Sequence, residues 1–239
     1  MAPNIAIFGA SGSIGRALID QLAITEPDAT IHAYSRVEVN FSNDNITSRV
    51  IDYSCEQSIE EAASISTTQV PLDLVILATG ILHYDDVLPE KSMRDLSAEK
   101  LQHLFYVNTI IPTIIGKHFI PKLNRENRSI FAALSARVGS ITDNRLGGWY
   151  AYRASKAALN MIIKNAAIEA TRQNRESVIV GLHPGTVDSK LSKPFQSNVP
   201  KGKLFTPYYS AEKLLMVIKQ LNPESSGKCF AWDGEEIMP

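Results

Sequence analysis

The feature that most constrains this chain is a glycine-spaced turn between a short apolar run and a helical pattern. Asn4–Phe8 is rich in β-formers, Gly9 to Gly15 follow at once, and apolar residues recur with helical spacing from Ile14 to Ala23. Glycines at such a junction permit close approach to a pyrophosphate, and the helix N-terminus supplies free N–H groups. The junction predicts a dinucleotide site, with a structural tight turn as the alternative. Its predicted contacts are Gly9, Ser11, Gly12, Ser13, Ile14 and Gly15.

Strand and helix patterns alternate along the rest of the chain. Strands are predicted at Thr30–Tyr34, Arg49–Ile51, Leu72–Ala78, Ser129–Leu134, Ser177–Leu182 and Lys228–Trp232. Helices are predicted at Glu56–Ile65, Leu101–Leu123, Tyr150–Thr171 and Ala211–Leu221, the last with Ser210 as N-cap. Such alternation implies right-handed βαβ units and a sheet covered on both faces. We predict an α/β, single-domain, doubly wound Rossmann fold over residues 1–239, with a mostly parallel sheet of about seven strands.

Composition excludes several classes of function. The 239 residues include 24 basic and 25 acidic ones, which gives no electrostatic reason to expect nucleic acid or an anionic membrane as a partner. The N-terminus lacks a signal-peptide pattern, and no apolar run approaches a membrane span. Cys55 and Cys229 form no paired motif, and the histidines have no metal-ligand spacing. We therefore expect a cytoplasmic protein with no resident metal.

The residues after the second predicted strand indicate the cofactor. NAD-binding proteins commonly place an acidic residue there for the ribose 2′-hydroxyl. This chain has Tyr34-Ser35-Arg36 instead, with no acid until Glu38. Ser35 and Arg36 can hydrogen-bond and neutralise a 2′-phosphate, so NADP is predicted over NAD. The alternative is that Arg36 is a solvated surface charge.

Tyr152 and Lys156 lie four residues apart in the helical pattern that begins at Tyr150. This spacing puts both side chains on one helix face. A free tyrosine has a pKa of about 10, and a close cation lowers a pKa by roughly 1–3 units. The pair is therefore a candidate centre for proton transfer near neutral pH.

With these motifs in this order, the chain resembles the short-chain dehydrogenase/reductase family. Asp52 follows the third strand, where the family has an acid near the adenine, and Ala78-Thr79-Gly80 stands where it usually has Asn-Ala-Gly. Asn108 and the Tyr-x-x-x-Lys motif also match, as do the residues Pro184, Gly185, Thr186 and Val187 after the sixth strand. The sequence of residues 134–140 and 147–156 is similar to that of the C-factor and sniffer-like branch, which includes carbonyl reductases and a proposed cell–cell signalling protein.

The resemblance implies a role for each motif. Tyr152 would donate a proton to a carbonyl oxygen, and Lys156 would lower its pKa and hold the nicotinamide ribose. Ser135 would orient the substrate oxygen. Asn108 would bend its helix and fix a water; the alternative is a polar residue in a helix kinked by Pro112. The cofactor would be held by Asp52, Gly80 and Pro184, Gly185, Thr186 and Val187, as well as by the glycine turn. A homodimer or homotetramer would form through Leu101–Leu123 and Tyr150–Thr171.

Three positions depart from the family pattern. Ser13 stands where the second glycine of short members usually lies, and Ala78 replaces an asparagine. The family's Ser-x-x-Gly, counted back from Gly139, falls on Ala136, so Ser135 lies one residue early. Ser140 and a site without a serine remain open as alternatives.

These patterns leave three hypotheses for function. The first is NADPH-dependent, reversible hydride transfer to a carbonyl substrate. The aromatic-rich stretch at about 189–210 is predicted to close over the site and to favour an apolar or aromatic substrate. The second is a cofactor-binding regulatory or signalling protein with little turnover. The third, an epimerase-like activity with tightly held NAD, follows only from the glycine spacing, and Arg36 and the short length argue against it.

Overall fold

The computed structural model describes residues 2–84 and 87–239, and the strands of that part form one large sheet and one small one. In chain order the strands are β1 (Asn4–Phe8), β2 (Thr30–Ser35), β3 (Ile46–Val50), β4 (Leu74–Leu77), β5 (Ser129–Leu134), β6 (Ser177–His183), β7 (Thr186–Val187), β8 (Leu204–Phe205), β9 (Cys229–Ala231) and β10 (Glu236–Ile237). The large sheet has the order β10-β9-β6-β5-β4-β1-β2-β3. Its neighbours are parallel except for β9 and β10.

Helices cover both faces of the large sheet. They are α1 (Ser13–Thr25), α2 (Glu56–Ser66), α3 (Ala98–Phe105), α4 (Ile111–Phe119), α5 (Tyr150–Gln173) and α6 (Pro207–Gln220). Apolar residues of α1 and α6 pack with one sheet face, and those of α2, α4 and α5 pack with the other. The doubly wound α/β fold predicted from the sequence is confirmed, with an eight-stranded sheet.

Two local predictions are corrected, and one edge strand was not predicted. The single helix predicted over Leu101–Leu123 is interrupted by a π-helical turn at Tyr106–Ile110. The N-cap of α6 is Thr206 and not Ser210, because the Thr206 hydroxyl accepts the Tyr209 N–H at 3.1 Å. Ser210 lies inside the helix and donates its hydroxyl to the Pro184 carbonyl at 2.8 Å. The antiparallel edge strand β10 was not predicted, since its two residues are too short for a period-2 pattern.

The strand order positions a ligand crevice. β1 pairs with β2 on one side and with β4 on the other, so the winding direction reverses between β1 and β4. In open α/β sheets, ligands bind outside the carboxyl ends of the strands at such a switch point. The glycine turn, Gly80 and Ser135 all follow the carboxyl ends of strands at this edge.

Candidate active site

The glycine turn has the geometry that close contact with a ligand requires. Gly9 has a φ of +87°, and a Cβ there would lie 2.9 Å from the Ala78 carbonyl. A Cβ on Gly15 would lie 2.2 Å from the Gly9 oxygen, so larger residues are excluded at both positions. Gly12 is the N-cap of α1 and provides no side-chain cap. The start of the helix therefore presents backbone N–H groups to a ligand, and Ser11, Gly12 and Ser13 are exposed there.

A buried serine lies at the carboxyl end of β2, with Arg36 directly after the strand and Arg16 of α1 beside the loop that follows. The Ser35 side chain is buried, and its hydroxyl donates to the Val37 carbonyl. Arg36 is exposed. Arg16 reaches this loop from α1, with its guanidinium carbon 4.2 Å from the centroid of Phe41 and Nη1 donating to the Asn40 carbonyl at 3.2 Å. Arg16 was not predicted as a candidate cofactor residue, although a basic residue directly after Gly15 could have indicated one.

Asp52 and Thr79 lie on the same rim of the crevice, after β3 and β4. The Asp52 carboxylate accepts the Ser54 hydroxyl at 2.6 Å and the Ser54 N–H at 2.8 Å, which lower its pKa. The Thr79 hydroxyl is buried without a hydrogen-bond partner in residues 2–84 and 87–239. A buried hydroxyl normally has a partner. Together with the glycine cradle, this unpaired group fits a site for a nucleotide cofactor.

Tyr152 and Lys156 lie on the crevice side of α5. The Lys156 Nζ is 6.0 Å from the centroid of the Tyr152 ring and donates to the Leu134 carbonyl at 2.8 Å. A Cβ on Gly80 would lie 3.4 Å from both Lys156 Nζ and Asn108 Oδ1. The structure therefore brings Tyr152, Lys156, Gly80 and Asn108 together, as the sequence motifs predicted.

Burial dominates the ionisation of both groups. It raises the pKa of Tyr152 to about 12, and it lowers the pKa of Lys156 to about 8. The sequence predicted a lowered pKa for Tyr152, but burial raises it, although the Lys156 ammonium lies 6.0 Å from the ring centroid. At neutral pH Tyr152 therefore keeps its proton and can serve as a donor.

Asn108 ties the π-helical turn to both sides of the crevice. Its Nδ2 donates to the Ile81 carbonyl at 2.8 Å and to the Ser155 hydroxyl at 3.1 Å, and its Oδ1 accepts the Ile81 N–H at 2.9 Å. The turn containing Asn108 makes the bend, whereas Pro112 lies in the first turn of α4, where proline is tolerated. A π-helical turn inside a helix often marks a functional position.

The Ser135 hydroxyl is bonded to α5 about two turns beyond Tyr152. Its hydroxyl donates to Asn160 Oδ1 at 2.6 Å. Asn160 is eight residues beyond Tyr152 on α5, which corresponds to about 12 Å along the helix axis. Ser140, the alternative, is 1% exposed, and its hydroxyl accepts the Asp143 N–H at 3.0 Å. These contacts favour an anchoring role for Ser135, and its predicted contact with substrate stays a prediction.

Replacing Ser135 by alanine is expected to change kcat by less than about fivefold, whereas losing an oxyanion donor costs about 10²–10³-fold. The variant should instead be less stable, since the Asn160 amide loses a buried partner. Steady-state kinetics and urea denaturation measure the two effects. A loss of kcat above a hundredfold in a stably folded variant would contradict the anchoring role.

Pro184 to Val187 lead into the stretch at about 189–210 that was predicted to close over the site, called the covering segment below. Gly185 has a φ of +74°, and a Cβ there would lie 2.6 Å from the Phe205 ring. Thr186 and Val187 form β7, which pairs with β8 in the small sheet. The covering segment therefore leaves and re-enters the fold at two paired strands, with a 3₁₀ helix at Lys193–Asn198 between them.

Trp149 links Tyr152 to the covering segment through aromatic contacts. The Trp149 ring centroid is 6.3 Å from that of Tyr152 and 5.1 Å from that of Phe195 in the covering segment. Phe195 also packs against His83 at 5.9 Å, and His83 Nε2 lies 3.2 Å from the Leu191 carbonyl oxygen. The segment thus closes toward Tyr152 through apolar and aromatic contacts.

Within the described ranges, no helix is long and apolar enough to cross a bilayer. In the same ranges, no group of three or more His, Cys, Asp and Glu side chains is arranged to hold a metal ion.

Comparisons with known proteins identify the family of the chain. The short chain dehydrogenase family model matches residues 3–200. The 1-hydroxy-2-glutathionyl-2-methyl-3-butene dehydrogenase of Rhodococcus sp. (strain AD45) is 32% identical over 185 residues, which cover 77% of this chain and 76% of that protein. The C-signal protein of Myxococcus xanthus is 30% identical over 167 residues, which cover 70% of this chain and 92% of that protein.

Among solved structures, an NADPH-bound carbonyl reductase from chicken fatty liver has the same fold. It superposes with a TM-score of 0.85 at 21% identity, and the match covers 100% of each chain. The family match, the order of the motifs and this fold lead to one conclusion. The chain belongs to the short-chain dehydrogenase/reductase family of NAD(P)-dependent oxidoreductases.

Proposed function

We propose that this protein is an NADPH-dependent carbonyl reductase, which reversibly transfers a hydride between the nicotinamide and a carbonyl or alcohol substrate. The observation that carries the proposal is the convergence of Tyr152, Lys156 and Asn108 on Gly80 at the switch-point crevice. The cofactor supplies the hydride when bound, and the protein supplies position and protons.

The residues that would hold the cofactor line one edge of the sheet. Residues 9–15 would bind the pyrophosphate through backbone N–H groups. Asp52 would lie on the adenosine side, whereas Gly80 would lie beside Lys156 and Asn108. Thr79, next to Gly80, offers a hydroxyl that has no partner among the described residues. Pro184, Gly185, Thr186 and Val187 would bind the carboxamide end, and the buried Lys156 ammonium would bind the nicotinamide ribose.

The proton chemistry would belong to Tyr152. The phenol is protonated at neutral pH, so its hydroxyl is available to donate to the oxygen of a carbonyl being reduced. Because burial raises the pKa of the phenol and so makes it a weaker acid, the transfer would depend on stabilisation of the phenolate. Lys156 would stabilise the phenolate that this transfer leaves. Asn108 would hold the Lys156 side of the crevice in place through its contacts with Ile81 and Ser155.

The substrate is proposed to be an apolar or aromatic carbonyl compound. Trp149 and Phe195 form an aromatic wall beside Tyr152, and ligand pockets are mostly apolar with few polar groups.

A homodimer or homotetramer remains part of the proposal. An apolar groove between α4 and α5 and the exposed Met161 and Ile168 on α5 support it.

NADPH is expected to bind more tightly than NADH, because Arg16 and Arg36 can neutralise a 2′-phosphate. Arg36→Ala should weaken NADPH binding by about tenfold or more and leave NADH binding within about twofold, since a hydrogen bond to a charged group contributes about 1.5–3 kcal/mol. Fluorescence titration with both reduced cofactors measures this. Arg175→Ala, an exposed arginine after α5, is the control. Tighter binding of NADH by the wild type would overturn the NADP assignment.

A second candidate is a cofactor-binding regulatory or signalling protein. Two observations favour it: the Ser135 hydroxyl is engaged by Asn160, and the C-signal protein is 30% identical over 70% of this chain. This candidate predicts tight NADPH binding without turnover on any aldehyde or ketone. Measuring NADPH binding and NADPH oxidation in the same preparation separates the two candidates.

A further inference from the structure

The helix that carries Tyr152 begins without a capping side chain of its own. The residue before α5 is Trp149, which has a left-handed φ of 49° and makes no side-chain cap. The first N–H groups of a helix need partners from outside it. A bulky residue at positive φ persists only where its surroundings hold it there. Some other part of the chain must therefore fix this turn.

Glu90 accepts two hydrogen bonds from this turn. Its backbone carbonyl accepts the Trp149 N–H at 2.6 Å, and its Oε2 accepts the Ala151 N–H at 3.2 Å. The two bonds hold the backbone at Trp149 and Ala151, on either side of Tyr150, and Tyr152 is the next residue. Glu90 is 1% exposed, so water does not substitute for either bond. A carboxylate at this end of a helix also interacts favourably with the helix dipole.

The second carboxylate oxygen of Glu90 is incompletely paired. Its Oε1 is buried without a hydrogen-bond partner in the part of the chain that the structure describes. The Lys100 Nζ lies 3.7 Å from it and donates to the Leu88 carbonyl at 2.7 Å. A buried, incompletely paired carboxylate is costly. The contact with α5 and the partial charge at its N-terminus offset part of that cost.

We propose that Glu90 is a positioning residue, which replaces the missing N-cap of α5 and fixes the phenol of Tyr152 in the crevice. Glu90 and Tyr152 line the same small internal space together with Leu82 and Leu104, so a shift of the first turn moves the phenol directly. Small displacements of a reacting group can cost on the order of 100-fold in rate. The catalytic part of this inference rests on the proposed function, whereas the hold on the helix does not.

The test compares Glu90→Ala, Glu90→Gln and Glu90→Asp, with the exposed Glu99→Ala as control. Glutamine keeps an oxygen acceptor at the same reach, alanine removes it, and aspartate keeps the charge but is one methylene shorter. We expect alanine and aspartate to lower kcat by roughly 10–100-fold. For Glu90→Gln and the control, kcat should stay within about threefold of wild type. NADPH affinity should stay within about twofold in every variant, because the contacts of Glu90 are with Trp149, Ala151 and Lys100, whereas the pyrophosphate is proposed to bind at residues 9–15.

A second readout does not depend on turnover. The chain has two tryptophans, so a Trp232→Phe background leaves Trp149 as the reporter of this turn. Its emission should shift to longer wavelength in Glu90→Ala and Glu90→Asp, and it should stay unchanged in Glu90→Gln. Unchanged kcat and unchanged emission in folded Glu90→Asp would overturn the proposal, as would a loss in Glu90→Gln equal to that in Glu90→Asp. If the wild type reduces no carbonyl compound, the proposed function fails, and the Trp149 emission still decides whether Glu90 holds the helix.

Discussion

Tyr152→Phe is expected to lower kcat by about 10²–10⁴-fold, the usual contribution of a general acid, while NADPH binds with nearly wild-type affinity. The ring and its packing against Trp149 remain, and only the proton donor is removed. The phenol keeps its proton at neutral pH, so the substitution removes a hydroxyl that is in the donor state. Stopped-flow or steady-state NADPH oxidation with a verified substrate measures the effect.

Tyr150→Phe is the matched control. Tyr150 is two residues earlier in the first turn of α5, and a helix places residues two apart on different faces. This variant should keep a wild-type rate. Wild-type turnover in Tyr152→Phe would remove Tyr152 from the chemistry, and equal losses in both variants would show damage to the helix instead.

Lys156→Met is expected to abolish turnover and, at neutral pH, to stabilise the folded chain by about 1–2 kcal/mol. Burial lowers the pKa of Lys156 from 10.5 to about 8, so the charged ammonium is disfavoured in the folded state. A shift of that size corresponds to about 3 kcal/mol, part of which is offset because the Leu134 carbonyl loses its donor. Urea denaturation at pH 7 measures the difference in the free energy of unfolding.

The pH dependence of that difference has a defined sign. Between the folded pKa of about 8 and the unfolded value of 10.5, the unfolded chain binds more protons at Lys156 than the folded chain does. The contribution of Lys156 to the free energy of unfolding of the wild type therefore becomes less unfavourable as pH rises through that window. The stability that Lys156→Met gains over the wild type becomes smaller accordingly. Lys164→Met, an exposed lysine on the same helix, should show neither effect. A wild-type protein that is more stable than Lys156→Met at pH 7 would contradict the cost assigned to the buried ammonium.

The parts of the site that local sequence determines were predictable. The glycine turn follows from an apolar run, three glycines and a helical period, and the structure has β1, the turn and α1 there. Tyr152 and Lys156 share a face because helical spacing alone requires it. The bend at Asn108 was expected from the family resemblance, but not its form, since the π-helical turn depends on contacts with Ile81 and Ser155 far along the chain.

Ser135 shows where sequence reasoning reached its limit. Side chains alternate along a strand, so Ser135 shares the face of Phe131 and Ala133, which pack toward α5. The contact partner on that helix, Asn160, could not be read from spacing. Glu90 was missed for a similar reason, because it lies 61 residues before Ala151 and only the fold brings the two together.

The most direct test of the central claim follows the hydride itself. The protein is incubated with NADPH labelled with deuterium at the nicotinamide C4 position and with a panel of aldehydes, ketones and diones, and the products are analysed by mass spectrometry. The account predicts an alcohol that carries deuterium at the former carbonyl carbon with the wild type, formed about 10²–10⁴-fold more slowly with Tyr152→Phe. Tight NADPH binding with no labelled alcohol across the panel would contradict it.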